Sequence, residues 1–418
     1  MRTCIIVDGY RFSKDYIFYL SKKNIACIHV QSTASIISSL SASSTYDPAD
    51  YIENFIYDNN FDALIDALQQ FDPIAIMPAM ESGVTLSDEL NRVFGLKTND
   101  YSLSKARRNK FKMIEALENA TVPCMKYSNA KNWQDAILWI HQNTAFPVVI
   151  KPLESAGTDG VYICETEADL KINFKKIMRQ NNCFGMSNES VLVQEFLRGT
   201  EYMINSVSCE GNHYFTDIWR CHKRYIKNHG MIYDREELIA SDGFIQNQIK
   251  SYLERVLKAV GFHYGAAHAE IMWTEKGPIL IEIGARVGGN VNCVAHTQCL
   301  GVNQLELNVD AYVDEPRYIR KAKYPYALLK NAMTILLSTD QNGIIESIPI
   351  LEKIKSCQSL FWYRLNVKVG DVIHSTRDLF SSPGKIILIH EESDLIFQEY
   401  TMLMDAMKNA FIVNDEVL

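Results

Sequence analysis

FPVVIKPLESAGTDGVYIC, Phe146 to Cys164, sets a short apolar run ending at Lys151 directly before a turn that holds Ser155, Ala156, Gly157 and Gly160. A lysine at the end of a buried-looking run gives up hydration and needs an anion to meet it. Small residues and two glycines let backbone N–H groups come close to an oxyanion. FPVVIKP and VYIC read as two strands of a hairpin with an oversized loop. The guest that suits lysine and loop together is a polyphosphate.

Upstream of that hairpin, TCIIVDGY, NIACIHV and DPIAIMPA read as strands, with a helix over Phe61 to Gln70. Alternation at this spacing predicts a parallel sheet with both faces covered. Ligands approach such sheets at the carboxyl ends of the strands, where Asp8, Gly9 and the PAMESG turn with Glu81 would lie. QSTASIISSLSASSTYDPADY reads as serine-rich surface loop. A helix is expected from about Ser104 to Asn119, a strand at VPCMKY, and helices from about Trp133 to Asn143 and Glu167 to Gln180. SVLVQEFL, EYMINSVSCEG and HYFTDIWRCHKR read as strands, followed by a helix near Ile245 to Val260. GAAHAEIMWTEKGPILIEIGAR reads as a hairpin turning at Glu275–Gly277, with Glu270 and Glu282 on its two strands. Past about Pro316, NAMTILLS, IIESIPI, LNVKVGDVI and GKIILIH read as strands of a small terminal unit closed by a helix from Asp394 to Ala410.

At 418 residues the chain is too long for one core. Its 47% hydrophobic and 22% charged residues are those of an ordinary soluble protein. A net charge of −8, with no basic run interleaved with aromatics, argues against nucleic acid as a partner. No apolar run has the length of a signal peptide or a membrane span, and no membrane role is expected. Ten cysteines without a CxxC pair suit a reducing compartment, so a cytoplasmic location is expected.

Glu270 and Glu282, on neighbouring strands, repel one another unless a cation sits between them. Hard oxygen ligands open toward phosphates suit Mg²⁺, with Mn²⁺ as a substitute. The apolar run PILIEIGAR leads straight into Glu282, and an acid in that position needs a partner. Arg286, beside such a site, is a natural clamp for a phosphoryl group or an oxyanion. Gly288 and Gly289 either let backbone approach a ligand or simply make a turn. VQEFLRGTEY turns at Gly199; such a corner offers backbone groups to an adenine edge, and Glu201 beyond it can hold ribose hydroxyls. His268 precedes Glu270 by two residues and shares its strand face. It is a candidate for proton transfer or substrate binding, and equally a satisfied wall histidine. His222 in WRCHKR is a second candidate of the same kind.

Lys110, Lys151, the SAGTDG loop, QEFLRGTEY and HAEIMW…PILIEIGARVGG, in that order, resemble the ATP-grasp superfamily over roughly Lys105 to Asn290. IVDGY and MPAMESGVTLSDELNRVFGL extend the resemblance to the Rossmann-like domain that precedes it. IMPAMESGV, ARRNKFKMIEAL and IEIGARVGG are most similar to the L-amino-acid ligases, which join free amino acids into dipeptides. The resemblance implies an α/β chain, α+β in its ATP-binding part. Its units would be a Rossmann-like domain over residues 1–104, ATP-grasp halves over 105–190 and 191–316, and a small β-rich C-terminal domain over 317–418. It also implies ATP as cofactor, its phosphates held by Lys110 and Lys151 under a lid formed by Ser155, Ala156, Gly157 and Gly160. Gln194, Glu195, Phe196 and Leu197 would contact adenine and Glu201 the ribose. Glu270 and Glu282 would hold Mg²⁺, and Arg286 would stabilise an acyl phosphate, with His268 beside it. Glu81, His222, Arg286, Gly289 and Asn290 would meet amino-acid substrates. Many ATP-grasp enzymes carry asparagine where this chain has Gly284, a place a water could fill. Alternatives within the resemblance are a ligase or carboxylase subunit acting on another carboxylate or bicarbonate, and a nucleotide-binding module without catalysis. A homodimer is the ordinary expectation for such a chain.

Overall fold

Four short strands open the chain: β1 (Arg2–Val7), β2 (Ile25–Gln31), β3 (Glu53–Ile56) and β4 (Pro73–Pro78). They form a parallel sheet in the order β3-β2-β1-β4. The computed structural model describes residues 1–34, 44–226, 230–377, 379 and 381–414, so most of the serine-rich stretch lies outside the described residues. β1 is buried along nearly its whole length, as a strand covered on both faces should be. Ile5, Val7 and Ile28 pack on the helices Phe61–Gln69 and Val84–Val93, whereas Cys4, Ile6 and Cys27 pack on Ser13–Ser21 and Gln304–Val313. β3 has no counterpart in the sequence reading, because it is an edge strand whose Glu53, Asn54 and Ile56 are exposed.

The next unit is an antiparallel sheet of β5 (Tyr127–Ala130), β6 (Val148–Pro152), β7 (Tyr162–Cys164) and β8 (Val191–Glu195), ordered β5-β8-β6-β7. The hairpin read from the opening stretch is present, with Val148 opposite Cys164 and Ile150 opposite Tyr162. Two local expectations are corrected. The single helix expected from Ser104 is a 3-10 segment, Tyr101–Arg107, then a break at Asn109, then a helix Lys110–Asn119. Asn109 caps that helix by accepting from the amides of Phe111 and Lys112, so Lys110 is its first residue. VPCMKY becomes strand only at its last residue, Tyr127.

The largest sheet is antiparallel and joins β9 (Thr200–Cys209), β10 (Asn212–Ile226), β11 (Gly230–Ile239), β12 (Gly265–Thr274), β13 (Gly277–Gly284) and β14 (Asn331–Leu337). The remaining strands are β15 (Gly343–Ser347), β16 (Leu360–Leu365), β17 (Val372–Ile373), β18 (Gly384–His390) and β19 (Ile412–Asn414). The order is β13-β12-β9-β10-β11-β14-β18-β16, so three strands beyond residue 330 extend this sheet, while β17-β15-β19 make a small one. β11, GMIYDREELI, also has no counterpart in the sequence reading, because its charged run hides the alternation. β16, LFWYRL, has none either, and the expected strand LNVKVGDVI is corrected: past Leu365 it is strand only at Val372–Ile373.

Register decides which residues share a face. Glu282 is opposite Glu270, Met272 opposite Glu201, Glu201 opposite Cys221 and Cys221 opposite Glu236. Directly opposed residues point to the same side of a sheet. One face therefore carries acids from β13, β12, β9 and β11, with Cys221 of β10 between the last two. The other face, with Tyr202, Ile204, Ile218 and Ile271, packs on the helix Phe244–Ala259 through Leu253, Val256 and Leu257.

Candidate active site

The acidic face begins at the β12–β13 hairpin. Glu270 and Glu282 are opposed across it, and both side chains are about a quarter exposed. Burial raises the pKa of Glu270, and the neighbouring carboxylates of Glu201 and Glu282 raise it further. Burial would raise Glu282 too, but Lys110 and Lys151 outweigh it and hold this carboxyl below its ordinary value. Among the described residues no group of three His, Cys, Asp or Glu side chains converges as a metal cage. Two carboxylates that repel one another fit Mg²⁺, which takes one or two protein carboxylates and completes its shell with phosphate oxygens and water.

The two lysines reach this pair from different elements. Lys110 Nζ lies 3.1 Å from Glu282 Oε1 and donates to the carbonyl of Ser155 at 2.7 Å. The first residue of its helix is tied to the phosphate-loop candidate again by Lys110 N to the Leu153 carbonyl, 3.0 Å. Lys151, on β6, is 4% exposed and has no carboxylate within 4.0 Å among the described residues. Burial pushes its pKa down to about 8. The loop between β6 and β7 is pinned by Ser155 Oγ donating to Asp159 at 2.6 Å and by the amide of Cys183 donating to the same carboxylate at 2.7 Å. Gly157, Thr158 and Gly160 all have φ near +65°, and a Cβ on Gly160 would come within 2.9 Å of Pro152. Gly157 and Ala156 are half-buried at the turn, and Ser155 is buried.

Gln194 is buried, its Oε1 without a partner among the described residues, and Glu195, Phe196 and Leu197 are half-buried where the chain leaves β8 for β9. Gly199 makes that corner possible. It has φ of 155°, and a Cβ there would lie 2.0 Å from the Trp273 carbonyl oxygen. Glu201, one residue into β9's second position, accepts from Lys223 Nζ at 2.6 Å and from the Tyr233 hydroxyl at 2.5 Å.

Arg286 follows β13 and faces Glu81, with Nε 3.2 Å from Oε2. Glu81 comes from the turn at the end of β4 and also has Arg108 at 3.9 Å. That turn is fastened by Asp8, which accepts from Ser82 Oγ at 2.5 Å and from Ser32. Gly284 is explained by the same contact. A Cβ on it would sit 2.8 Å from Glu81 Oε2 and 3.2 Å from Arg286 Cζ. The Glu81 carboxylate occupies the space a side chain at 284 would need. Gly289 offers its carbonyl to the Arg11 guanidinium, and Asn290 is buried near Glu236, its Nδ2 without a hydrogen bond of good geometry among the described residues. Gln304 holds the RVGGN loop down by accepting from Gly288 N at 2.8 Å while donating to the carbonyls of Ser206 and Ala267.

His268 ends a buried polar chain. Asn205 donates to Asp217 Oδ1 at 2.6 Å, and Asn205 Oδ1 lies 2.7 Å from His268 Nδ1. A carboxylate only accepts, so the amide nitrogen of Asn205 faces Asp217 and its oxygen faces the imidazole. His268 Nδ1 must therefore carry the hydrogen. Nε2 is left with its lone pair, 3.9 Å from Glu270 Oε1. Burial pushes the imidazole pKa down to about 3, with Arg286 adding to the shift, so the ring is neutral. His222 is a correction. It lies on the opposite face of β10, 3.0 Å from Glu237 Oε1, in a cluster with Arg220 and Arg235. Its neighbour Lys223 reaches the site instead. The sequence reading missed Lys223, Asn205, Asp217, Arg108 and Arg11. Alternation in DIWRCHK, which puts Asp217, Trp219, Cys221 and Lys223 on one face, was the available signal for two of them.

A half-buried carboxylate pair flanked by two lysines, a glycine-bearing loop above them and an arginine at the hairpin's end come from separate segments in a fixed order. The ATP-grasp domain family matches residues 144–294, which span both halves of this arrangement. Dapdiamide A synthase of Enterobacter agglomerans is 31% identical over 404 residues, covering 96% of this chain and 95% of that protein. This chain belongs to the ATP-grasp ligases. It is an enzyme of a family that forms C–N bonds, and that family generally uses ATP and Mg²⁺. Its fold is similar to that of L-amino acid ligase from Bacillus licheniformis, with a TM-score of 0.76 over 99% of both chains at 17% identity. It is also similar to phosphoribosylglycinamide synthetase from Anaerococcus prevotii, with a TM-score of 0.67 over 99% of this chain and 100% of that one at 16% identity. Among the described residues no helix is long and apolar enough to cross a membrane.

Proposed function

We propose that this ATP-grasp ligase joins two L-amino acids into a dipeptide, activating one carboxylate as an acyl phosphate and releasing ADP and phosphate. The observation that carries this reading is the meeting of Arg286 and Glu81 beside the Glu270–Glu282 pair. A carboxylate next to the metal pair receives the γ-phosphoryl group, and a carboxylate at Glu81 suits the ammonium group of an amino acid. The similarity to dapdiamide A synthase and to an L-amino acid ligase supports the same substrate class.

Amide formation in water is uphill, so the carboxylate must be activated first. Phosphoryl transfer asks the protein for in-line positioning and charge neutralisation. Lys110 and Lys151 take the ATP phosphates, and the loop with Ser155, Ala156, Gly157 and Gly160 covers them. Gln194 to Leu197 receive the adenine and Glu201 the ribose, with Lys223 and Tyr233 fixing the Glu201 carboxylate. Glu270 and Glu282 would hold Mg²⁺, or Mn²⁺ in its place, and the ion would supply positive charge against the phosphoryl oxygens. Arg286 stabilises the oxyanion that forms when the amine attacks. His268, neutral and with Nε2 bare, accepts a hydrogen bond from that amine and orients its lone pair. Gly289 and Asn290 line the acyl side of the pocket.

The test is phosphate release from Mg·ATP with each pair of the twenty L-amino acids, with product masses read from the same wells. Release that requires particular amino acids, with a dipeptide mass beside it, supports the reading. Release only with bicarbonate, another carboxylate or another amine keeps the enzyme class and removes the dipeptide assignment.

A further inference from the structure

The acidic face of the large sheet does not end at Glu236. Glu236 is opposite Thr334, Thr334 opposite Ile387, and Lys385 lies two residues along β18 from Ile387, on the same side. Arg364 on β16 is directly opposite Lys385. From above, Arg11 leans over from the loop after β1, its guanidinium bonded to the Gly289 carbonyl. Three cations from three segments thus gather around one carboxylate.

Their bonding is incomplete. Among the described residues, none of Arg11, Lys385 and Arg364 has a carboxylate within 4.0 Å, whereas nearly every other cation near the site does. Glu236 is 4% exposed and Asn290 8% exposed; Asn290 approaches the Glu236 carboxylate, but among the described residues neither Glu236 Oε2 nor Asn290 Nδ2 makes a hydrogen bond of good geometry. Like charges on directly opposed strand positions repel, and buried polar atoms without partners cost free energy. A fold that accepts both costs in one place is built for a guest. The guest is anionic, since the cations outnumber the acid. Burial lowers the pKa of Lys385; Glu236 opposes that shift as its one nearby acid, and Arg11 and Arg364 add to it.

Strand spacing says which anion. At about 4.8 Å per strand, β11 lies roughly 14 Å across the sheet from β12, too far for the carboxylate being activated at Glu270. We propose that Arg11, Lys385 and Arg364, with Glu236 and Asn290, form a subsite for a second carboxylate, one that is carried by a substrate and does not react. It is either the free carboxylate of the amine-donating substrate or a remote carboxylate of the acyl donor. The inference rests on the ligase reading for its substrates and on the sheet register for its place.

The test compares the wild-type chain with Lys385→Met and with Arg364→Gln, the latter at an exposed strand position where folding is safe. Each is assayed with any amino-acid pair that releases phosphate, and with the carboxamide in place of each non-reacting carboxylate. Expected are a roughly 10- to 100-fold rise in KM for one substrate, kcat within about threefold, and an unchanged KM for ATP. The wild type should treat the carboxamide as the variants treat the acid. A penalty on the amine donor's amide identifies that source; a penalty on the amide of a dicarboxylic acyl donor identifies the other. Equal KM for acid and amide in the wild type, or unchanged KM values in both variants, overturns the subsite while leaving the ligase reading intact. If no pair is turned over, thermal shifts with L-amino acids, L-aspartate, L-glutamate and their amides in the presence of Mg²⁺ and a non-hydrolysable ATP analogue decide it. Stabilisation by acids beyond that by amides, lost in Lys385→Met, supports the subsite, and equal or absent shifts overturn it.

Discussion

One sheet face has two ends that solve the same problem differently. At the β12–β13 end, three glutamates meet three lysines, and the charges are largely paired: Lys110 with Glu282 at 3.1 Å and Lys223 with Glu201 at 2.6 Å. At the β18–β16 end, cations face one another across neighbouring strands with a single acid in reach. On the proposed reading the paired end takes a ligand with many charges and its own metal ion. The unpaired end suits a bare anion that supplies what the fold omits. Charge balance along one face therefore sorts the parts of a substrate set before any ligand is seen.

The largest effect should come from breaking the paired end at its centre. Glu282→Gln removes half of the proposed metal pair and leaves Lys110 without its ion-pair partner. Phosphate release at saturating Mg²⁺ should fall about 1,000-fold, and the Mg²⁺ dependence should shift to higher concentrations. Retention of a tenth of the wild-type rate would remove Glu282 from the metal site.

Lys151→Met should cost at least about 100-fold in rate and weaken ATP binding, yet make the empty protein more stable. The sign follows from its pKa, lowered to about 8 by burial from an ordinary value of 10.5. Between those values the unfolded chain binds the proton more tightly than the folded one, so wild-type stability rises with pH across that window. At neutral pH the buried charge carries its whole cost, on the order of 1–3 kcal/mol. Melting curves without nucleotide should show the variant ahead at pH 7 and its lead shrinking toward pH 10. A variant that melts below the wild type at pH 7 would mean that Lys151 is compensated in the empty site.

Lys223→Met and Gly284→Asn test the seams between segments. The first leaves Glu201 buried with only Tyr233, and a rise of about tenfold in KM for ATP is expected. The second pushes a side chain into Glu81, 2.8 Å from the new Cβ. It should raise KM for one amino acid by about tenfold with little change in KM for ATP. Equal effects on both substrates would place Glu81 on the nucleotide side.

Much of this was legible in the sequence where chemistry and periodicity coincide. Lys151 at the end of FPVVIK, Glu270 and Glu282 on one hairpin, and Arg286 past its end announce themselves as charges terminating apolar runs. β3 and β11 were not legible, one because its residues face solvent and the other because charges occupy both of its faces. The helix break at Asn109 was missed because a run of good helix formers hides a cap. Arg11 lies 353 residues before Arg364 and 374 before Lys385, and the three meet only through the tertiary fold, which no local pattern encodes. The space at Gly284 was likewise unreadable, since the atom that fills it belongs to Glu81.

The smallest effect is expected at His222, and it tests the register itself. Side chains alternate along β10, so a one-residue displacement moves a residue from one face to the other. Cys221 is opposite both Glu201 and Glu236, which fixes that parity from both neighbouring strands. His222 then lies on the far side with Glu237, Arg220 and Arg235, away from the face proposed to hold the nucleotide and substrates. His222→Ala removes one partner of Glu237 and leaves two arginines in place, so kcat and every KM should stay within about twofold. Glu237 is held down to about 2 by those hydrogen bonds, against burial that would raise it, and the arginines alone should keep it ionised at neutral pH. A loss of tenfold or more in His222→Ala, with Lys223→Met near wild type, would show that β10 is shifted by one residue. Every facing residue from Asp217 to Lys223 would then exchange sides, and the division of the sheet into a paired and an unpaired end would fail with it.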